Sequence, residues 1–287
     1  MDYLERLRLS AQDAGNITCF GLDPVVDALP CAEKDIPDRI VDYFGELLTG
    51  MKERNIRVAA FKPNIGYYAK LDRPMQGVFR GSQALAGVLA MLRMLFPDTP
   101  VILDAKRGDI ATSSKNYAEE AFLAWEADSV TVSPYMGTDS VMPFAFEDKG
   151  MYILNRTSNP GGKDLQNRTG ESGEPFYMIV ARAILGWHEQ HSGIGAVVGA
   201  TNPKEFADIT GYYADKDIPL LIPGVGSQGG TAPEVMDLMK KAGYPLALAR
   251  INSSSGLTHP WKTGPAPEDY LERVFANLVK LTGETAI

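Results

Sequence analysis

The sequence is poor in the residues that most often carry metal or hydrolytic chemistry. It has 3 histidines and 2 cysteines in 287 residues. A zinc enzyme or a histidine-based hydrolase needs a cluster of such side chains, so both classes are disfavoured. His188 and His191 lie three apart on one expected helix, with no acidic or cysteine partner at ligand spacing, which fits a solvated helix face. His259, beside Pro260, is expected in a loop. Cys19 and Cys31 form no CxxC pair and are too few to staple a small secreted fold; Cys19, inside an apolar run, reads as a core thiol.

Long apolar runs are also missing. The longest, Ala84–Leu92, ends at Arg93, far short of the ~18 residues a membrane span requires. Charges interrupt Met1–Gln12 every few residues, unlike a signal peptide. These features predict a cytoplasmic protein with no membrane partner. There is no basic excess: 28 Lys and Arg against 36 Asp and Glu give a net charge of −8, which argues against a nucleic-acid partner. Repeats, low-complexity tracts and a convincing interdomain linker are absent as well.

What is present is an alternation. Eight short apolar runs read as strands buried on both faces: Ile17–Leu22, Arg57–Pro63, Pro100–Ala105, Ser129–Ser133, Met151–Asn155, Ala196–Gly199, Leu220–Pro223 and Pro245–Ala249. Amphipathic segments separate them: Ile36–Arg54, Ser82–Phe96 with Ser82 as its expected N-cap, Thr112–Glu126, a shorter one near Asp139–Phe146, Pro175–His191, Pro203–Tyr213, Pro233–Lys241 and Pro267–Thr282. This predicts an α/β fold, a single (β/α)8 TIM barrel domain over residues 1–287, with an N-terminal helix and a long loop near 156–174 that reads as structureless. An open doubly wound sheet is the runner-up, but no GxGxxG follows the first strand.

In such barrels chemistry sits where strands end. The expected strand ends carry Asp23, Lys62, Asp104, Lys106, Asp109, Arg156, Ser158 and Arg250. One buried Lys–Asp pair is an ordinary structural device; five charges converging at one rim, Asp23 through Asp109, indicate a site. The run Pro223–Gly230 (PGVGSQGG) has glycines that let backbone N–H groups approach an anion, with a helix expected to begin near Thr231–Pro233. Arg250, at the expected end of strand eight, completes a phosphate clamp on this reading. Local positive charge from Lys62, Lys106 and Arg250 makes the acidic total compatible with an anionic substrate.

The ordered set FGLDP, FKPN, LDAKRGDI, SNPGG, PGVGSQGG and ALARINSSSG resembles the orotidine 5′-phosphate decarboxylase family, in its longer bacterial (type 2) subgroup. The resemblance implies decarboxylation of orotidine 5′-phosphate to UMP without metal or organic cofactor. It implies a charged Lys62–Asp104–Lys106–Asp109 network with Lys106 protonating C6, and a homodimer in which Asp109 reaches the partner's site. It further implies Asp23 at the ribose, Ser158 at the pyrimidine, and Gln228, Gly229, Gly230 and Arg250 at the phosphate. Ser113 stands where the family usually has Thr. Two alternatives share these features: a Mg-dependent sugar-phosphate lyase or synthase of the same superfamily, and a non-catalytic nucleotide-binding barrel.

Overall fold

The computed structural model describes residues 1–171, 173–226 and 229–287. Eight parallel strands make one sheet: β1 (Thr18–Gly21), β2 (Ala60–Lys62), β3 (Ile102–Arg107), β4 (Ser129–Val132), β5 (Gly150–Arg156), β6 (Ile194–Val198), β7 (Leu220–Ile222) and β8 (Ala249–Ser253). The sheet order runs β2-β1-β8-β7-β6-β5-β4-β3. Bridges Phe61–Val101 and Asn64–Asp104 bring β2 back to β3. The result is the expected (β/α)8 barrel.

Helices surround it: α1 (Tyr3–Ala14), α2 (Ile36–Glu53), α3 (Ile65–Ala69), α4 (Arg80–Leu95), α5 (Ala111–Glu119), α6 (Thr138–Val141), α7 (Phe176–His188), α8 (Pro203–Tyr213), α9 (Ala232–Ala242), α10 (Ser255–Thr258) and α11 (Tyr270–Glu284). In α2 the buried Ile40, Phe44, Leu47, Leu48 and Met51 recur at helical spacing and face the sheet. No helix among the described residues is long and apolar enough to cross a membrane.

Most expected elements fall within a few residues of the observed ones, with local differences. Helix α4 begins at Arg80, so Ser82 lies in its first turn, where its N–H and hydroxyl bond Asp72. The segment after α5 ends in a π turn, Glu120–Ala124. The 156–174 loop is not structureless. Pro160–Asp164 forms a 3-10 turn, and Gln166 fastens it to the end of β5 by accepting from Thr157 N at 2.9 Å and donating to Thr157 Oγ1 at 2.9 Å. The turn packs so closely that a Cβ on Gly162 would lie 2.6 Å from Arg156 Nη1.

Strand eight requires the main correction. Within the apolar run Pro245–Ala249, residues Leu246–Leu248 form a 3-10 turn, and the strand itself is the more polar Ala249–Ser253. Arg250 is therefore the second residue of β8, at the opposite end of the barrel from the rim. Its side chain is fully buried. A guanidinium has five N–H donors, and here they meet neutral oxygens. Nε donates to Ala59 O (3.1 Å), Nη1 to Ala247 O (2.9 Å) and Ala249 O (2.7 Å), and Nη2 to Leu7 O (2.6 Å) and Ser10 Oγ (2.7 Å). Arg250 is not a phosphate clamp; it fastens α1 across the bottom of the barrel. Tyr3 assists by donating to Ser129 Oγ at 2.8 Å, and Arg6 by bonding the Asp128 carboxylate, which Arg93 of α4 also bonds.

Candidate active site

A cavity of about 500 Å³ opens at the C-terminal ends of the strands, within the range of small-molecule sites. Its walls bring together Asp23, Lys62, Asp104, Lys106 and Ser158 from the expected set. At its centre is Asp104, held between two ammonium groups. Lys62 Nζ lies 2.9 Å from Asp104 Oδ2, and Lys106 Nζ lies 2.5 Å from Oδ1. Asn64 Nδ2 approaches Oδ2 at 3.4 Å, and Thr131 Oγ1 donates to Oδ1 at 2.9 Å.

The charges follow from this arrangement. Burial alone would raise the Asp104 carboxyl, but Lys62 and Lys106 outweigh it and hold the group well below the usual carboxylate range. Burial alone would lower the Lys62 ammonium, but Asp104 and Asp23 outweigh it and raise the group above its ordinary value. Lys62 is only 4% exposed, whereas the Lys106 side chain is 48% exposed. The buried lysine neutralises the aspartate, while the exposed one reaches into the open volume. Lys106 has a left-handed backbone (φ 47°), and the β3–β4 register shifts between Leu103 and Arg107. A non-glycine residue in that conformation is costly and persists where its surroundings enforce it.

Asp23 follows β1 with both carboxylate oxygens engaged. Oδ1 accepts the Asn64 N–H at 3.0 Å, and Oδ2 accepts from Ser254 Oγ at 2.7 Å. The close approach of β1 to Ser254 needs Gly21, where a Cβ would lie 1.8 Å from Ser254 Oγ. Ser158 is set by its backbone, whose carbonyl accepts from Thr201 Oγ1 at 2.8 Å.

Other expected residues lie elsewhere. Asp109 and Ser113 do not line this cavity. Asp109 Oδ1 caps the Ile110 N–H at 2.7 Å, and Ser113 is exposed in the first turn of α5. Gly224 and Val225 line the cavity, whereas Gly229 and Gly230 line an adjoining depression that shares Val225 and Ser253 with it. Gly230 also has a packing role, since a Cβ there would meet Ala200 Cβ at 2.7 Å. Gln228 lies outside the described residues. The N-terminus of α9 is capped by its own Thr231, whose hydroxyl also donates to Glu234 Oε2 at 2.8 Å. Arg107 pairs with Glu120 through Nε (3.1 Å) and Nη2 (2.8 Å) in the same chain.

The sequence reading missed Thr131, Asn252, Ser254 and His259 as cavity residues, and Asn64 as a partner of Asp23 and Asp104. Thr131 had a signal, being one of two hydroxyls, with Ser129, that alternate with valines in β4. Asn252 Oδ1 is buried with no partner among the described residues, a ready acceptor for a ligand donor.

Known proteins resemble this chain over most of its length. The orotidine 5′-phosphate decarboxylase of Delftia acidovorans is 37% identical over 263 residues, covering 90% of each chain. That of Variovorax paradoxus is 39% identical over 264 residues, again 90% of each. Residues 46–244 match the family described as orotidine 5′-phosphate decarboxylase / HUMPS. The chain belongs to the orotidine 5′-phosphate decarboxylase family. Solved structures agree with this family assignment. The Leishmania donovani OMP decarboxylase superposes with a TM-score of 0.75 at 29% identity over 99% of each chain. The Leishmania donovani UMP synthase gives a TM-score of 0.78 at 30% identity; 99% of this chain matches 57% of that one.

Proposed function

We propose that the protein decarboxylates orotidine 5′-phosphate to UMP in pyrimidine nucleotide synthesis, without a cofactor and with Lys106 as proton donor. The observation that carries this reading is the Asp104 carboxylate fixed between Lys62 and Lys106. In the reaction the bond from C6 to the carboxylate carbon breaks and CO2 leaves. The electron pair stays on C6 and takes a proton from Lys106 Nζ, which solvent later restores. Such a carbanion has no good electron sink, so the barrier reduction must approach the upper end of the ~8–23 kcal/mol that enzymes supply.

Asp104 facing the substrate carboxylate contributes repulsion of about 4 kcal/mol at ~4 Å and an effective dielectric of ~20. That is a minor share. The larger share falls to the preorganised ammonium of Lys106, already aimed at the place where negative charge develops. On this reading Asp23 serves the ribose hydroxyls, Ser158 the pyrimidine, and Gly224, Gly229 and Gly230 the phosphate, a role the family resemblance also gives to Gln228. A divalent cation at Asp104 would have to displace two ammonium groups, which disfavours the Mg-dependent alternative.

The protein acts as a homodimer on this reading. Asp109 and Ser113 lie outside their own cavity. The segments that follow β2, β3 and β4 carry exposed apolar side chains, among them Met75 (100% exposed), Ile110 (54%) and Tyr135 (81%). A partner seated there would cover them and take Asp109 into its own site.

The test is CO2 release from orotidine 5′-phosphate with EDTA present. Turnover by the wild type, lost in Lys106→Ala while UMP binding persists, is the expected result. Activity that vanishes on chelation points to the sugar-phosphate alternative. Tight UMP binding without turnover points to a non-catalytic barrel. Substantial activity in Lys106→Ala overturns the proton-donor role.

A further inference from the structure

With Arg250 at the bottom of the barrel, no guanidinium lines the cavity among the described residues. Its basic side chains there are Lys62, Lys106 and His259. Both lysines are committed to Asp104. His259 follows α10, so it stands on the β8–β1 side with Ser253, Ser254 and Asp23. That wall adjoins Gly224 and Val225 after β7. The ends of strands seven and eight are where this fold places a phosphate.

The contacts of His259 commit one ring nitrogen. Thr258 Oγ1 lies 3.1 Å from Ser254 O and 2.9 Å from His259 Nδ1. Nδ1 is therefore engaged by the Thr258 hydroxyl, whichever of the two donates. Nε2 then has no partner among the described residues and is left for whatever fills the cavity. Asp23 is the charged group that acts on the ring. The remaining ionisable groups of the cavity, Lys62, Tyr67, Asp104 and Lys106, come from β2, α3 and β3. Burial lowers the imidazole pKa and Asp23 opposes that, so the empty cavity favours the neutral ring. A phosphate dianion entering beside it reverses the preference.

We propose that His259 binds the phosphate group of the nucleotide through Nε2, gaining a proton as the dianion enters. This rests on the nucleotide reading above and adds a residue and a charge state to it. Proton gain on binding means that affinity for the phosphorylated ligand falls as pH rises through the range between the free and bound values of the ring. The phosphate has its own ionisation near pH ~6, which cancels when a variant is compared with the wild type at the same pH.

Calorimetric titration of wild type and His259→Gln with UMP and with uridine, at two pH values, tests this. At pH 6.5 the variant is expected to bind UMP roughly tenfold more weakly, the discrimination of one charge-assisted hydrogen bond. At pH 8.5 the gap narrows, and uridine binds both proteins alike at both pH values. Wild-type UMP binding should also take up protons, seen as a dependence of the heat on buffer ionisation. Equal UMP affinity of the two proteins at pH 6.5, a loss shared equally by uridine, or a gap independent of pH overturns the proposal. Failure of the decarboxylase reading would show separately, as no CO2 from the wild type.

Discussion

Thr131 Oγ1 donates to Asp104 Oδ1 at 2.9 Å while accepting the Lys106 backbone N–H at the same distance. One hydroxyl on β4 thereby holds both the carboxylate at the centre of the site and the strained residue two positions along β3. Replacing it with valine keeps the shape and removes both bonds. A hydrogen bond to a charged group is worth about 1.5–3 kcal/mol, so Thr131→Val should lower kcat by at least roughly tenfold. UMP affinity should stay close to that of the wild type. A fall in UMP affinity matching the fall in kcat would show that Thr131 shapes the binding surface instead of positioning Asp104 and Lys106.

The burial of Arg250 separates stability from activity. Arg250→Met deletes five donated hydrogen bonds at the barrel bottom and leaves buried carbonyls unsatisfied. A loss of about 3 kcal/mol or more is expected, measurable by urea or thermal unfolding. The folded fraction should bind UMP and uridine as the wild type does. A selective loss of UMP binding with unchanged stability would return Arg250 to the phosphate site.

The ionisation of the Lys62–Asp104 pair sets a pH window. The Asp104 carboxyl is depressed in the folded protein, so its contribution is present above the unfolded value of ~3.9 and is lost as pH falls through the folded value. Lys62 is raised, so its contribution is present below ~10.4 and is lost as pH rises through its folded value. Between about pH 5 and 10 both charges stay fixed. Carbon-13 NMR of the wild-type Asp104 carboxyl should therefore show no titration from pH 5.5 to 9, and the stability that its ionisation contributes should shrink below about pH 4. A change between pH 6 and 8 would contradict a permanently ionised Asp104.

Complementation tests the shared site. Lys106→Ala and Asp109→Asn subunits, each inactive alone, should regain activity when mixed, because one site of a mixed dimer has both residues intact. Absence of recovery in dimers confirmed by mass would count against Asp109 acting across the interface.

The barrel was legible because strands buried on both faces are written as short aliphatic runs, and each of β1 through β7 overlaps such a run, with charges entering only in β3 and at the ends of β2 and β5. β8 breaks it. Its Arg250 and Asn252 take the guanidinium contacts and the cavity wall, respectively, while the apolar residues just before it form a turn. Sequence alone thus set Arg250 one strand length too far along, and took with it the source of positive charge at the phosphate end. The Lys62–Asp104–Lys106 cluster was legible because charges inside apolar strands are rare without a partner. His259 was not, since only the turn through α10 brings a loop histidine back over the cavity.

The bond from Arg250 to Leu7 spans 243 residues, and β1 pairs with β8. Helix α1 thus lacks its Arg250 anchor until β8 has been synthesised. Contacts of such separation carry a large loop-closure cost and come late in folding. A chain stopped before β8 loses both the seam of the barrel and the anchor of the helix beneath it, so closure of the barrel waits on the synthesis of β8.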